Sequence, residues 1–227
     1  MKFEGWIKGK LIKRYLRFLA EVELADGSVI TAHCTNTGSM KSCLLPGAPV
    51  LLSPNDNPNR KTKFTWEAIE IEYTWIGVNT NRANQWAFEW VAKNEIPGLE
   101  YLQDLKREKK FGDSRFDIYG HDGEKEVWME VKNVSMKEGD FALFPDAPTT
   151  RGQKHLKTLM QIVKDGQRAA MIYVIQRSDI QYFAAAKEID PLYAELLEEA
   201  KKVGVEVYAL QVELSKNAAF LKTIIQI

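Results

Sequence analysis

The chain has 227 residues, 31 of them basic and 31 acidic, so its formal charge is zero. With 45% hydrophobic and 27% charged residues it has a globular composition, neither disordered nor fibrous, and enough length to build a core without disulfide staples. No run approaches the about 20 apolar residues that a membrane helix needs, and its two cysteines, Cys34 and Cys43, lack the companion Cys/His pair of a zinc site.

The first eighteen residues alternate charge with bulk and offer no apolar segment or small-residue cleavage site. No secretory signal is expected, and the cysteines are expected as reduced thiols of a cytoplasmic protein. Residues 15–24 read as one strand closed by the turn pair Asp26-Gly27, and residues 28–34 as the next. A polar loop over residues 35–39 follows, then Pro46-Gly47 and a short strand over residues 49–52. Residues 53–60, with two prolines and three asparagines, read as irregular, and residues 65–73 as a further strand. Short strands at this spacing predict a small β-barrel of the five-stranded OB type over residues 1–76.

Residues 77–227 change texture. A helix is predicted over residues 84–95, with Trp86, Trp90 and Val91 on one face and Pro97-Gly98 as its stop. Glu89 on this helix reads as a surface residue before it reads as an extra metal ligand. Strands are predicted over residues 115–119 and 127–133, then a helix over 150–165 with Leu156, Leu159, Met160 and Val163 at helical spacing. The apolar run 169–176 reads as a strand buried on both faces. A helix over 191–203 has Pro191 at its start and Gly204 just past its end, and a strand over 205–214 follows. This order predicts a mixed sheet flanked by helices, so the chain as a whole is α/β with an all-β N-terminal part.

The chemistry concentrates in residues 114–133. A hairpin symmetric about its turn sets Phe116 opposite Val131 and Ile118 opposite Met129 on an apolar face. The other face then pairs Asp117 with Glu130, Arg115 with Lys132 and Tyr119 with Trp128. Facing carboxylates repel unless one is protonated or a divalent cation lies between them. Mg²⁺ suits such a pair, because it takes oxygen ligands and keeps sites for water and phosphate. Asp117 and Glu130 would hold the ion, with the Val131 carbonyl as a further ligand, and Lys132 would orient water and stabilise charge at phosphorus. A solvated cross-strand charge ladder fits the same residues, and pattern alone leaves both readings open.

Residues 144–155 add a second constellation. Arg151, Lys154 and His155 gather at a helix start, where basic side chains are mildly unfavourable but free N–H groups favour anions. That points to phosphate. Gln153 joins them, although a capping box with Thr150 offers it a structural role. Zero net charge argues at first sight against a polyanionic partner, but charge is segregated. Residues 2–17 hold six basic residues, Arg14 and Arg17 among them, against Glu4 alone. Arg60, Lys61 and Lys63 adjoin Phe64 and Trp66, although Trp66 and Phe18 fit barrel core better than base-stacking platforms. Arg14, Arg17, Arg60, Lys61 and Arg115 are therefore candidate phosphate contacts, since binding depends on the contacting face and not on the total charge.

Residues 33–40 (HCTNTGSM), Ser114-Arg115-Phe116-Asp117, Glu130-Val131-Lys132-Asn133-Val134 and residues 144–156 resemble the sugar fermentation stimulation protein A (SfsA) family. Gly77-Val78-Asn79-Thr80 and Gly166-Gln167-Arg168-Ala169 match it as well, with one departure at Thr35, where the family usually has proline. The resemblance implies an OB-fold-like nucleic-acid-binding domain joined to a domain of the PD-(D/E)xK nuclease type, in which Asp117, Glu130 and Lys132 match the acidic pair and lysine. It further implies DNA binding and a link to sugar (maltose) utilisation. The expectation is a Mg²⁺- or Mn²⁺-dependent phosphodiester hydrolase acting on DNA, with RNA and a homodimeric assembly left open. Its rival is a non-catalytic DNA-binding regulator that keeps the nuclease scaffold. A sugar-phosphate enzyme is disfavoured because no P-loop or dinucleotide motif is present.

Overall fold

The computed structural model describes residues 1–227. Five strands, β1 (Ile7–Tyr15), β2 (Leu19–Leu24), β3 (Val29–His33), β4 (Pro49–Pro54) and β5 (Phe64–Ile71), form the barrel. The sheet runs β3-β2-β1-β4-β5, and a parallel β3–β5 pairing closes it. A sixth strand, β6 (Thr74–Gly77), pairs with β5 and leads out of the barrel. The interior is filled by Leu11, Val22, Val50, Leu52, Trp66 and Ile69, together with both cysteines, which are free and buried.

The strand predicted over residues 15–24 spans the end of β1 at Tyr15, a turn and β2. The chain turns at Leu16, Arg17 and Phe18, and Phe18, expected in the core, is half exposed. No Gly, Asn or Pro marks this turn, so the usual chemical signal of a reversal is missing. The sequence does not mark β1, because Gly9 occupies one of its inward positions and a bulge between Leu11 and Lys13 breaks the alternation.

The second sheet has the order β15-β14-β12-β9-β8-β7. Its strands are β7 (Gln103–Phe111), β8 (Ser114–Asp122), β9 (Lys125–Val134), β12 (Arg168–Ile175), β14 (Glu206–Leu214) and β15 (Ala219–Ile225). β12 runs parallel to both β9 and β14, and the outer pairings are antiparallel. A small sheet of β10 (Met136–Glu138), β11 (Phe141–Phe144) and β13 (Tyr182–Ala185) sits beside it. The sequence predicts the central strands but not β10, β11 and β13, which are short, β7, which is highly charged, or β15 at the edge of the sheet.

Three helices sandwich the sheet: α1 (Thr80–Ala92), α2 (Thr150–Lys164) and α3 (Pro191–Val203). Along β12, Ala170, Ile172 and Val174 face α1, whereas Ala169, Met171, Tyr173 and Ile175 face α2 and α3. This two-residue alternation with both faces covered explains the unbroken apolar run. Leu51, Ala68 and Trp75 share the α1-side core, so the barrel packs against the same layer. α1 begins one turn earlier than predicted, because the Asn79 side chain accepts from the Asn81 N–H and caps it there. The cap of α2 is Thr149 in place of the expected Thr150–Gln153 box; its hydroxyl accepts from the Gly152 N–H.

Candidate active site

The β8–β9 hairpin keeps the predicted register, with Ile118 opposite Met129 and Tyr119 opposite Trp128. The ladder ends at the Ile118–Met129 pair, and there the prediction fails in one respect. Phe116 does not share a face with Ile118 and Val131; it packs on the α2 side, 5.9 Å from the Trp128 ring and 5.8 Å from the His155 ring. On β7, pairs flank but skip Glu108 and Asp117, and Glu108 is left-handed with φ 56°. This kink flips the side-chain alternation, so Asp117 is not a ladder partner of Glu130. Its Oδ2 instead accepts from the Val131 N–H at 2.8 Å, replacing a strand partner, and its Oδ1 accepts from Asn84 Nδ2 of α1 at 2.5 Å.

Asp117 and Glu130 nevertheless line one cavity of about 480 Å³, with Val131 and Lys132. Glu130 is buried, and its Oε1 receives both Lys132 Nζ at 2.6 Å and His155 Nδ1 at 2.5 Å. Its Oε2 is buried without a hydrogen-bond partner. Burial pushes the Glu130 carboxyl up, but Lys132 and His155 outweigh it and hold the group below its usual range. Asp117 goes the other way: burial, then the Glu130 charge, raise it from 3.8 to about 7. The pair therefore combines one committed anion with one carboxyl poised near neutrality.

Does this donor set fit a hard divalent cation? Two buried carboxylates supply oxygen, and the orphaned Glu130 Oε2 is an acceptor that the fold leaves unsatisfied. No third His, Cys, Asp or Glu completes a cluster. An ion there would draw its remaining ligands from main chain, water and phosphate, as Mg²⁺ commonly does. The residues fit.

The predicted phosphate contacts divide. Arg151, at the start of α2, and Arg17, from the barrel, line the cavity. His155 is buried against Glu130 and supports the carboxylate, so it is not a phosphate contact. Gln153 donates to Asp190 at 2.9 Å, and Lys154 pairs with Asp113 at 2.8 Å. Arg115 is exposed, lies 3.6 Å from Glu108 and sits opposite Lys110 of β7, not opposite Lys132 as predicted. Arg14 donates to the carbonyls of Arg17, Asn36 and Gly38. Arg60 holds Thr65 Oγ1 beside a separate polar cavity, and Lys61 is exposed. Glu89 bonds Gln85 and lies 3.9 Å from Lys93, outside the cavity.

One contributor escapes the sequence, and a second is left open by it, since the loop over residues 35–39 reads equally as a source of backbone amides for phosphate or as the cap of a barrel end. Asn84 fixes Asp117; with the helix predicted to start at residue 84, an Asn there reads as an ordinary helix-start residue and gives no hint of this role. The loop over residues 36–38 lines the cavity and abuts Asp146, whose Oδ2 accepts from the Met40 N–H at 3.3 Å. That contact joins positions 106 apart in sequence and has no local signature.

The chain matches two family models, the "SfsA N-terminal OB domain" over residues 12–78 and the "Sugar fermentation stimulation protein RE domain" over residues 81–218. A sugar fermentation stimulation protein homolog of Shewanella loihica is 49% identical over 218 residues, covering 94% of this chain and 93% of its own. That of Geotalea uraniireducens is 44% identical over 206 residues, covering 90% and 89%. The solved structure of Pyrococcus furiosus SfsA in complex with Ca²⁺ superposes with a TM-score of 0.90 at 30% identity, covering 99% of this chain and 96% of that one.

Proposed function

The chain belongs to the SfsA family, and from that premise we propose that it is a cytoplasmic nucleic-acid-binding protein whose cavity hydrolyses phosphodiester bonds with Mg²⁺ or Mn²⁺. The observation that carries the reading is the buried, unpartnered Oε2 of Glu130 beside the raised carboxyl of Asp117. A fold rarely leaves such an oxygen without purpose. The Pyrococcus furiosus relative was solved with Ca²⁺, a hard cation of the same ligand preference, which supports a divalent ion here.

Asp117 and Glu130 would hold the ion, with the Val131 carbonyl in reach by chain position. A cation bound there would polarise a phosphodiester and acidify a water molecule. Lys132 Nζ, 2.6 Å from Glu130, is placed to orient the attacking water and to stabilise charge developing at phosphorus. Arg17 and Arg151 enter from opposite domains and would grip flanking phosphates. Asn84 holds Asp117 in place, and His155 does the same for Glu130.

A second reading has a specific observation behind it. Arg14, Arg60, Arg115, Gln153 and Lys154 are each engaged within the protein, and Arg17 gives its Nε and Nη2 to the Thr37 carbonyl and keeps only Nη1 for phosphate, so the phosphate-gripping surface is narrower than the sequence promised. A non-catalytic DNA-binding regulator would need no more. The test is cleavage of single-stranded, duplex and branched DNA and of RNA, with Mg²⁺ or Mn²⁺, by the wild type and by Asp117→Ala and Lys132→Ala. The hydrolase reading expects cation-dependent cleavage that both variants lose. Binding without cleavage on every substrate would leave the regulator.

A further inference from the structure

We propose that the turn between β1 and β2, carrying Leu16, Arg17 and Phe18, is an apolar wedge that enters a base step of duplex DNA beside the cavity. The inference rests on the nucleic-acid reading given above.

Leu16 and Arg17 are both left-handed, with φ of 49° and 62°. Consecutive left-handed residues at a hairpin turn favour Asn and Gly, because a Cβ is crowded in that conformation. Here the turn instead carries two large apolar side chains that stand outside the hydrophobic cores. Leu16 is 74% exposed and Phe18 is 49% exposed, and neither joins any of the three hydrophobic cores. Strain of this kind, maintained without a packing return, tends to mark a functional tip.

The tip is braced, and it is braced to the candidate active site. Arg14 donates through Nε and Nη2 to the Arg17 carbonyl at 3.2 and 2.9 Å, locking the turn. The same guanidinium reaches the carbonyls of Gly38 and Asn36 at 3.1 and 2.8 Å. Arg17 donates to the Thr37 carbonyl through Nη2 and Nε at 2.5 and 3.2 Å. Residues 36–38 line the cavity that holds Asp117 and Glu130, so the tip keeps a fixed position relative to the carboxylates. All these partners are carbonyl oxygens, so both arginines retain their full positive charge next to the exposed Leu and Phe.

Leu and Phe flanked by Arg is the composition with which DNA-bending proteins unstack a base step while cations hold the adjacent phosphates. A wedge seated there would open or kink the duplex where its backbone passes the cavity. It would also favour duplex over single strands, which have no base-paired step to be wedged and kinked.

The experiment titrates the full chain, in Ca²⁺, into a short duplex carrying the fluorescent base 2-aminopurine at several steps, and into the same labelled strand alone. Wild type is compared with the double variant Leu16→Asn/Phe18→Ser, in which Asn tolerates the left-handed turn. The proposal expects a rise in duplex fluorescence with wild type. It expects the variant to bind duplex about tenfold more weakly and without that rise, while single-strand affinity stays within about twofold and the melting temperature is unchanged or higher. A variant that binds and unstacks duplex like wild type overturns the wedge, as does an equal loss on both substrates with a lower melting temperature. Wild type that binds and cleaves only single strands also overturns it, yet leaves the cavity reading intact. If wild type neither binds nor cleaves any nucleic acid, both readings fall.

Discussion

His155 Nδ1 lies 2.5 Å from Glu130 Oε1, and each side chain is only 4% exposed. With Lys132 on the same oxygen, three polar side chains converge in a low-dielectric site and Oε2 is left over. Removing His155 takes one hydrogen bond from a buried carboxylate that Lys132 still neutralises. His155→Ala should cost about 1.5–3 kcal/mol in urea denaturation, the worth of a hydrogen bond to a charged group. His155→Gln, which keeps a donor, should recover part of that. If His155→Ala were as stable as wild type, the Glu130 network would not be the support described.

Asp117 gives the fold a pH signature. Its carboxyl is raised from 3.8 to about 7, so in that window the native state keeps a proton that the unfolded chain has released. Stability should therefore fall as pH rises from about 4 towards 7, with the penalty complete above it. Asp117→Asn should flatten this slope and be the more stable protein above pH 7. Mg²⁺ should offset the penalty in wild type and do little for the variant. Urea midpoints across the window, with and without Mg²⁺, decide it.

Neighbouring residues at the start of α2 should separate cleanly. Gln153 bonds the buried Asp190, which also accepts from the Thr149 and Tyr193 N–H groups. Gln153→Ala should lose about 1 kcal/mol of stability and leave nucleic-acid affinity unchanged. Arg151→Ala should do the reverse, with stability within about 0.5 kcal/mol of wild type and a weaker, less salt-dependent affinity. Denaturation curves and binding isotherms at two salt concentrations check both.

Gly38 is a packing requirement of the cavity wall. A Cβ there would meet Asp146 Oδ1 at 2.6 Å and its Oδ2 closer still, and Asp146 also holds the Met40 N–H. Gly38→Ala should displace the loop over residues 36–38. Cleavage should drop by about tenfold or more, because small misplacements at an active site are costly. The melting temperature should change little, since this loop lies outside the three cores. Unchanged cleavage would show that the loop takes no part.

The sequence carried the hairpin well because its information is local. Alternation in residues 114–133 predicts a register that the structure keeps from Ile118 to Asp122. The same alternation misplaces Phe116, since the left-handed Glu108 opposite Asp117 lies in β7, a strand whose run of charged residues gives no local sign of it. Residue type likewise showed which side chains were basic, but their carbonyl and carboxylate partners come from distant segments. Arg14 meets Gly38, Lys154 meets Asp113, and Gln153 meets Asp190. Asn84 belongs to the same class: its role exists only because α1 lies across the hairpin. The barrel was legible as short strands, but its closure through β3 and β5, and the turn at Leu16, were not.

The central claim is that Glu130 holds a divalent cation that supports phosphodiester hydrolysis. The most direct measurement is single-turnover cleavage of an end-labelled oligonucleotide by wild type and Glu130→Gln across a Mg²⁺ titration, with binding of the same oligonucleotide followed in parallel. The account predicts saturable, Mg²⁺-dependent cleavage by wild type, a loss of about a hundredfold or more in Glu130→Gln, and binding retained by both. Equal cleavage by the two proteins, or none by wild type at any Mg²⁺ or Mn²⁺ concentration while binding persists, would contradict it.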